Sequence, residues 1–174
     1  MASMVIRPIH LDGNVAYVTL TKGYIASISA TDLHVAEGKN WSAKVDRRSD
    51  GSIRSVYAYR TSYLNGRKVV YLHREIMSAR PEEIIDHIDG NGLNNVRSNL
   101  RIATPSQNQH NRVANIGSAS KYKGVSAGNR PGVWRARIKK NGVEKTIGYF
   151  DSEKKAHEAY IAASDLMHGS YSRH

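Results

Sequence analysis

Through the first 72 residues apolar and polar positions alternate in short runs: VAYVTL (15–20), YIASIS (24–29), SVYAYRTSYL (55–64) and KVVYLH (68–73). A period of two is that of a half-buried strand, and the intervening DGN, SDGS and NGR are turn signals. In LNGRKVVYLH, Asn65 and Gly66 supply the turn of a hairpin. Residues 31–37 predict a short helix, capped by Thr31 or Asp32. The pattern predicts a small β-rich module over residues 1–68.

Near the other end the same period returns. KGVSA (123–127), GVWRARIKK (132–140) and EKTIGYF (144–150) read as three strands joined by GNRPG and NG. The period then becomes helical: after Asp151 or Ser152 as cap, Ala156, Ala159, Tyr160, Ala163 and Met167 share one face, and Gly169 ends the run. A three-stranded antiparallel sheet packed on one helix is expected over residues 121–171. In its middle strand Trp134, Ala136 and Ile138 face one way, and Arg135, Arg137 and Lys139 the other. The apolar set must meet the helix, which leaves a row of cations on the open side. A basic face is ordinarily only solvated, but here every outward position of the strand is basic. ANIGSASKY (114–122) reads as a linker. The fold class is α+β.

Charge sharpens this picture. The 174 residues hold 26 Lys and Arg against 15 Asp and Glu, a formal charge of +11. Two segments carry the excess: residues 47–80 have eight cations and two acids, and residues 121–173 have eleven and five. Such clustering points to a polyanionic partner, nucleic acid above all. The absence of cysteine excludes disulfides and thiolate zinc sites and fits a reducing compartment. No apolar run is long enough to span a membrane, and the chain does not open on a signal-peptide pattern. An intracellular protein is expected.

Between the two modules lies IIDHIDGNGLNNVRSNLRIATPSQNQHNR (84–112), which crowds six asparagines around little apolar surface. Asparagine is ordinarily a turn and cap residue. Asp86-His87 follows EEII at the end of a strand, DGNGLNN is a tight loop, NLRIAT is a second strand, and Thr104-Pro105 starts a helix containing Asn108. A carboxylate beside a histidine, with an amide on a facing helix, can hold one hard cation. Asp86 and Asn108 offer the oxygen ligands that Mg²⁺ or Mn²⁺ prefers. His87 need not be a ligand, since a neutral imidazole suits a general base. The calcium-loop pattern fails on spacing and on its closing Glu.

His87, Asn99 twelve later and Asn108 nine after that, with LHREIM upstream, resemble the HNH endonuclease motif in its His-Asn-Asn form. The resemblance implies a ββα-metal nuclease module over residues 69–116. It implies His87 as general base, Asn99 orienting the His87 ring by a hydrogen bond, and Asp86 and Asn108 binding Mg²⁺ or Mn²⁺. Arg112 could clamp a phosphate; His73 falls on a recurring family position where a core or supporting role is expected; His110 stands two residues past the last motif position. YKGVS, WRARI, IGYFDSEKKAHEAY and HG resemble the ethylene-response-factor type of DNA-binding domain. That family reads the major groove with its open sheet, which implies Lys123, Ser126, Arg135, Arg137, Lys139 and Thr146 as DNA contacts. More loosely, the first 70 residues resemble the leaders of phage-type HNH proteins, so that Arg47, Arg48, Arg60 and Arg67 would track the DNA backbone. Together these imply a metal-dependent homing-type endonuclease acting on double-stranded DNA, with one active site per chain and a monomer favoured over a dimer. The competing readings are a DNA-binding regulator with an inactive nuclease motif, and an RNA-binding or RNA-cleaving protein.

Overall fold

A computed structural model describes residues 5–64, 66–110, 120–140 and 142–168, with the backbone alone at 106, 109, 110 and 168. It divides into two compact units, Met1–Ile102 and Ala103–His174. Among the described residues no helix is long and apolar enough to cross a membrane.

The first unit opens with an antiparallel meander, β1 (Ile9–Asp12), β2 (Val15–Thr19) and β3 (Ile25–Ser29). A 3₁₀ turn at Ala30–Asp32 leads into α1 (Leu33–Ala36), where the sequence predicts a helix, but no side chain caps it. A second antiparallel sheet follows, β4 (Ser42–Arg47), β5 (Ile53–Ser62) and β6 (Lys68–Tyr71). Then come α2 (Leu72–Ile76), β7 (Ile84–His87), β8 (Asn94–Asn95) and β9 (Leu100–Ala103). The pattern underplays β1 and β4, and it extends β6 two residues too far. Leu72 and Ile76 stand four apart and are both buried, so the chain turns helical there to place them on one face. The expected hairpin turn falls on Asn65, outside the described residues, and on Gly66, whose φ of 92° favours glycine.

One core serves the whole unit. Ala16, Val18, Ala26 and Ile28 pack with Trp41 and Ala58, and also with Leu72, Ile76, Ile85 and Leu100. Residue 68 therefore does not separate two cores. β8 adds in parallel to β3, pairing Asn95 with Ile28, and β7 pairs with β9. Arg97, between them, gives Nε and Nη2 to Oδ1 of the buried Asp32 at 3.0 and 2.8 Å and also reaches the Ile76 carbonyl. Gly92 of the intervening loop lies so close to β5 that a Cβ would come within 2.5 Å of the Tyr57 ring and the Val56 carbonyl.

In the second unit α3 (Pro105–His110) is followed by β10 (Val125–Ala127), β11 (Trp134–Lys140), β12 (Val143–Phe150) and α4 (Glu153–His168). The last three strands form the expected antiparallel sheet, in the order β10-β11-β12. Ala136, Val125 and Ala156 of α4 are buried together, with Trp134, Ile147 and Phe150 against them. A bulge after Ala136 leaves Ile147 out of the register, because Ala136 faces Gly148 and Arg137 faces Thr146. Ser152 Oγ accepts the Lys155 N–H at 3.2 Å and caps α4. The linker at 114–122 and the Gly169 stop fall mostly outside the described residues.

Four rings gather where α2 and β7 meet the second sheet. His73 and His87 meet edge to face at 5.1 Å between centroids, Tyr57 lies 5.8 and 5.9 Å from them, and Tyr71 stacks on His73 at 5.6 Å. Nδ1 of His73 is buried with no hydrogen-bond partner. Burial, helped by the charges of His87 and Arg74, pushes the His73 pKa down to about 3. Between the ordinary value of about 6.5 and 3 the unfolded chain binds a proton that folded His73 refuses. Stability should therefore be full above about pH 6.5 and fall progressively as pH drops toward 3. Urea unfolding at a series of pH values checks this: His73→Phe, which keeps a ring in place, should flatten the dependence by up to one proton, about 1.4 kcal/mol per pH unit. An unchanged slope would show that His73 is accessible to protons.

Candidate active site

The last two residues of β7 are Asp86 and His87, and both are buried, at 5% and 6% exposure. Opposite them, Arg101 of β9 gives its Nε–H to Asp86 Oδ2 at 2.9 Å, and its Nη2 forms an ion pair with the same oxygen at 2.8 Å. A carboxylate this deep requires such a partner, since an unpaired buried charge costs several kcal/mol or more. His87 is held by a different residue. Its Nε2 lies 3.2 Å from Asn95 Oδ1, and Asn95, fully buried, gives its Nδ2 to the Leu93 carbonyl at 3.0 Å. That second bond fixes which end of the amide meets the ring. An oxygen acceptor on Nε2 assigns the proton to Nε2 and the lone pair to Nδ1. Burial, the largest influence, lowers the His87 pKa; the Asn95 bond and the charges of Asp89 and Asp86 oppose it without reversing it. His87 is thus a neutral imidazole at pH 7 with Nδ1 as its basic nitrogen.

Asn99, expected on the His87 ring, binds the loop instead. Its Nδ2 reaches Asp89 Oδ1 at 2.9 Å and the Asn94 carbonyl at 2.8 Å, and its Oδ1 accepts the Asp89 N–H at 3.0 Å. Asp89 also accepts Asn91 N–H and Asn94 Nδ2, at 2.8 Å each. Burial alone would raise the Asp89 carboxyl, but these hydrogen bonds hold it below its ordinary value. The asparagine crowd thus splits by role: Asn91, Asn94 and Asn99 tie residues 89–94 into one rigid turn, and Asn95 leaves it to meet His87. The sequence reading missed Asn95, whose only signal was a polar residue preceding Val96 in a strand-length run. It missed Arg101 too, although a cross-strand acid–base pair is a recognisable pattern.

The helix expected at Thr104-Pro105 is α3. Thr104 Oγ1 accepts the Gln107 N–H at 3.2 Å while Gln107 Oε1 accepts the Thr104 N–H at 2.8 Å, a reciprocal cap. Asn108, one residue further on, is half-buried and belongs to the unit that begins at Ala103. A carboxylate and an amide oxygen suit a hard cation in chemistry. Among the described residues, no three His, Cys, Asp or Glu side chains gather into a cluster that would hold a metal alone. Arg112 lies outside the described residues, as does the His110 side chain.

The expected DNA contacts fare unevenly. Arg60 is fastened inside its own unit: Nε and Nη2 grip both oxygens of Glu75 at 3.1 and 2.9 Å, and its guanidinium lies over Trp41 at 5.5 Å. An arginine paired and stacked in this way braces α2. Arg47 and Arg48 fold back on the carbonyls of Gly51 and Ile53. Arg67 is exposed. In the second unit Ser126 faces Arg135 across the strands, Arg137 faces the exposed Thr146, and Lys139 faces Glu144. Lys123 precedes β10 and is half-buried. The face is not wholly basic, since Arg137 Nη1 meets Glu144 Oε1 at 3.2 Å. Tyr149, opposite Arg135 and exposed, shares that face and was not foreseen.

A family model for HNH endonucleases matches residues 70–110, the stretch that holds α2, both strands, the loop and α3. An uncharacterised HNH endonuclease of Acanthamoeba polyphaga mimivirus is 36% identical over 92 residues, covering 52% of this chain and 46% of that protein. Protein 3.8 of Escherichia phage T7 is 33% identical over 89 residues, 51% of this chain and 73% of the phage protein. The match thus spans about half the length of the mimivirus relative. No solved structure matches. A buried Asp-His pair at a strand end, an asparagine-tied loop and a matching family model meet in one segment, and residues 70–110 carry an HNH endonuclease domain.

Proposed function

We propose that this protein is a metal-dependent DNA endonuclease of homing type, hydrolysing phosphodiester bonds at a recognised duplex site. The observation that carries the reading is the state of His87: buried, neutral, and held through Nε2 by Asn95 so that Nδ1 is the basic nitrogen. In the proposed reaction a water oxygen bonds to phosphorus as one P–O bond breaks. His87 Nδ1 takes the water's proton, and the departing oxygen takes one from solvent. Asp86 and Asn108 would hold Mg²⁺ or Mn²⁺, which when bound neutralises charge on the phosphate and the leaving oxygen. Arg101 keeps the Asp86 carboxylate aimed in its buried setting. Asn99 acts at one remove, by fixing the loop from which Asn95 reaches the ring.

Site selection is assigned to the second unit, by its likeness to the ethylene-response-factor domain and by Ser126, Arg135, Arg137, Lys139 and Thr146 on one sheet face, with Lys123 beside it. Arg112, by its place in the motif, would contact a phosphate. The viral and phage relatives fit a protein acting in an infected cell, and a monomer with one site per chain fits nicking of one strand.

Two experiments test this reading. Supercoiled plasmid incubated with protein and Mg²⁺ should be nicked, and chelator should stop it; protein that binds plasmid without ever cutting it would be a regulator instead. In the same assay His87→Ala should lower the rate at least about 10²-fold with little change in affinity, the usual scale for a general base. Asn95→Ala should lower it about tenfold, as for residues that orient a catalytic group, and Asp86→Ala should weaken the Mg²⁺ dependence. Equal loss of DNA binding in His87→Ala would make His87 structural.

Deleting residues 117–174 should abolish site selection and leave slow, nonspecific, metal-dependent nicking. Sequencing the cut ends reads this out. A truncated protein that still cuts the native site with full selectivity would move recognition to the first unit.

A further inference from the structure

The end of the β5–β6 hairpin has an unusual surface. Tyr63 and Leu64, adjacent in the chain, are 74% and 80% exposed, and Val69 on the returning strand is 55% exposed. Two neighbouring large apolar side chains this far into solvent gain nothing for the fold. Their surroundings are cationic. From Gly51 to Arg74 the chain carries Arg54, Arg60, Arg67, Lys68 and Arg74 and no acid. Arg60 is spoken for by Glu75, but Arg67 and Lys68 stand exposed beside the apolar pair. An apolar tip flanked by cations and free of acids calls for a partner that is negatively charged and also offers apolar surface. It suits a polyanion with flat apolar surfaces inside it, which describes stacked bases behind phosphates.

The hairpin also touches the proposed catalytic histidine through its first strand. β5 carries Tyr57, whose ring lies 5.9 Å from that of His87 and under the Gly92 backbone. Tyr63 follows Tyr57 by six residues. At about 3.3 Å per strand residue that is about 20 Å, or about six base steps of 3.4 Å along a duplex.

We propose that the β5–β6 hairpin tip is a DNA wedge: Tyr63 or Leu64 enters between two base pairs about six steps from the scissile phosphate, while Arg67 and Lys68 hold the flanking backbone. The proposal rests on the endonuclease reading and deepens it by naming how the substrate is deformed. Side chains of this kind unstack a step and kink the duplex, so that more of it meets the protein.

The test uses full-length protein carrying His87→Ala, so that cutting does not obscure binding. Nicked plasmid is sealed by ligase with and without protein, and the topoisomers are compared. Protein with the native tip should shift the distribution, because unstacking changes helical twist. Tyr63→Ser combined with Leu64→Ser should lose the shift while still retarding plasmid on a gel; both side chains are exposed, so the core is untouched. Tyr63→Phe should keep it. In a separate Tyr63→Trp protein, emission added by the new indole should be quenched on adding duplex. Plasmid binding with the same topoisomers for native and double-Ser tips would overturn the wedge and leave the nuclease reading standing. Failure of the native-tip protein to bind plasmid at all would overturn both. Concentration-dependent dimerisation in sedimentation, lost in the double-Ser protein, would assign the tip to a second copy of the chain and also overturn the wedge.

Discussion

A single buried amide joins the frame of this protein to its chemistry. Asn95 is fully inaccessible, pairs in β8 with Ile28 of β3, and spends its two ends on the Leu93 carbonyl and the His87 ring. A buried amide without partners costs a few kcal/mol, so both contacts are demanded by burial itself. The consequence is directional. The β-rich sheet holds the strand, the strand holds the amide, and the amide settles which nitrogen of His87 is basic. The β-rich residues are therefore part of the scaffold that holds His87.

The acids of the first unit follow a related logic. In a chain of +11, each well-buried carboxylate is matched to an arginine: Asp32 to Arg97, Asp86 to Arg101, and the half-buried Glu75 to Arg60 and Lys39. Removing one partner would leave a buried charge unpaired, which is why these pairs fix geometry more than they add stability. Asp32–Arg97 locks the chain just after β8 to α1 and α2, and Asp86–Arg101 locks β7 to β9. The arginines so used each hold a carboxylate of the first unit. The remaining exposed cations, Arg67 and Lys68 at one hairpin among them, stay at the surface, where a polyanion can meet them.

Much of this was legible in the chain itself. Period-two runs gave β2, β3, β5 and β6, the helical spacing of Ala156, Tyr160 and Met167 gave α4, and the Asp86-His87 pair fell at a strand end as its flanking residues implied. These are local matters: alternation, turn residues and caps act over a few residues, so a linear reading reaches them. Chemistry-bearing residue types at fixed spacing were equally visible, which is why the HNH resemblance and the family match agree on residues 70–110.

What the sequence could not decide was partnership. Asn95 and Asn99 are the same residue type four apart, and nothing local says which one meets His87; the parallel pairing of β8 with β3 decides it, through a contact between residues 67 apart in the chain. Arg60 and Arg67 look alike in a basic run, yet one stacks on Trp41 and grips Glu75 while the other is exposed, because Arg60 lies on β5 against α2 and Arg67 lies in the hairpin turn before β6. The row Arg135, Arg137, Lys139 looked purely cationic until β12 set Glu144 against it. Residue type and period determined the elements and where the acids, amides and histidines stand along them. Long-range pairing alone determined each group's neighbours, because burial imposes hydrogen bonds and counter-charges only once distant strands have closed over them.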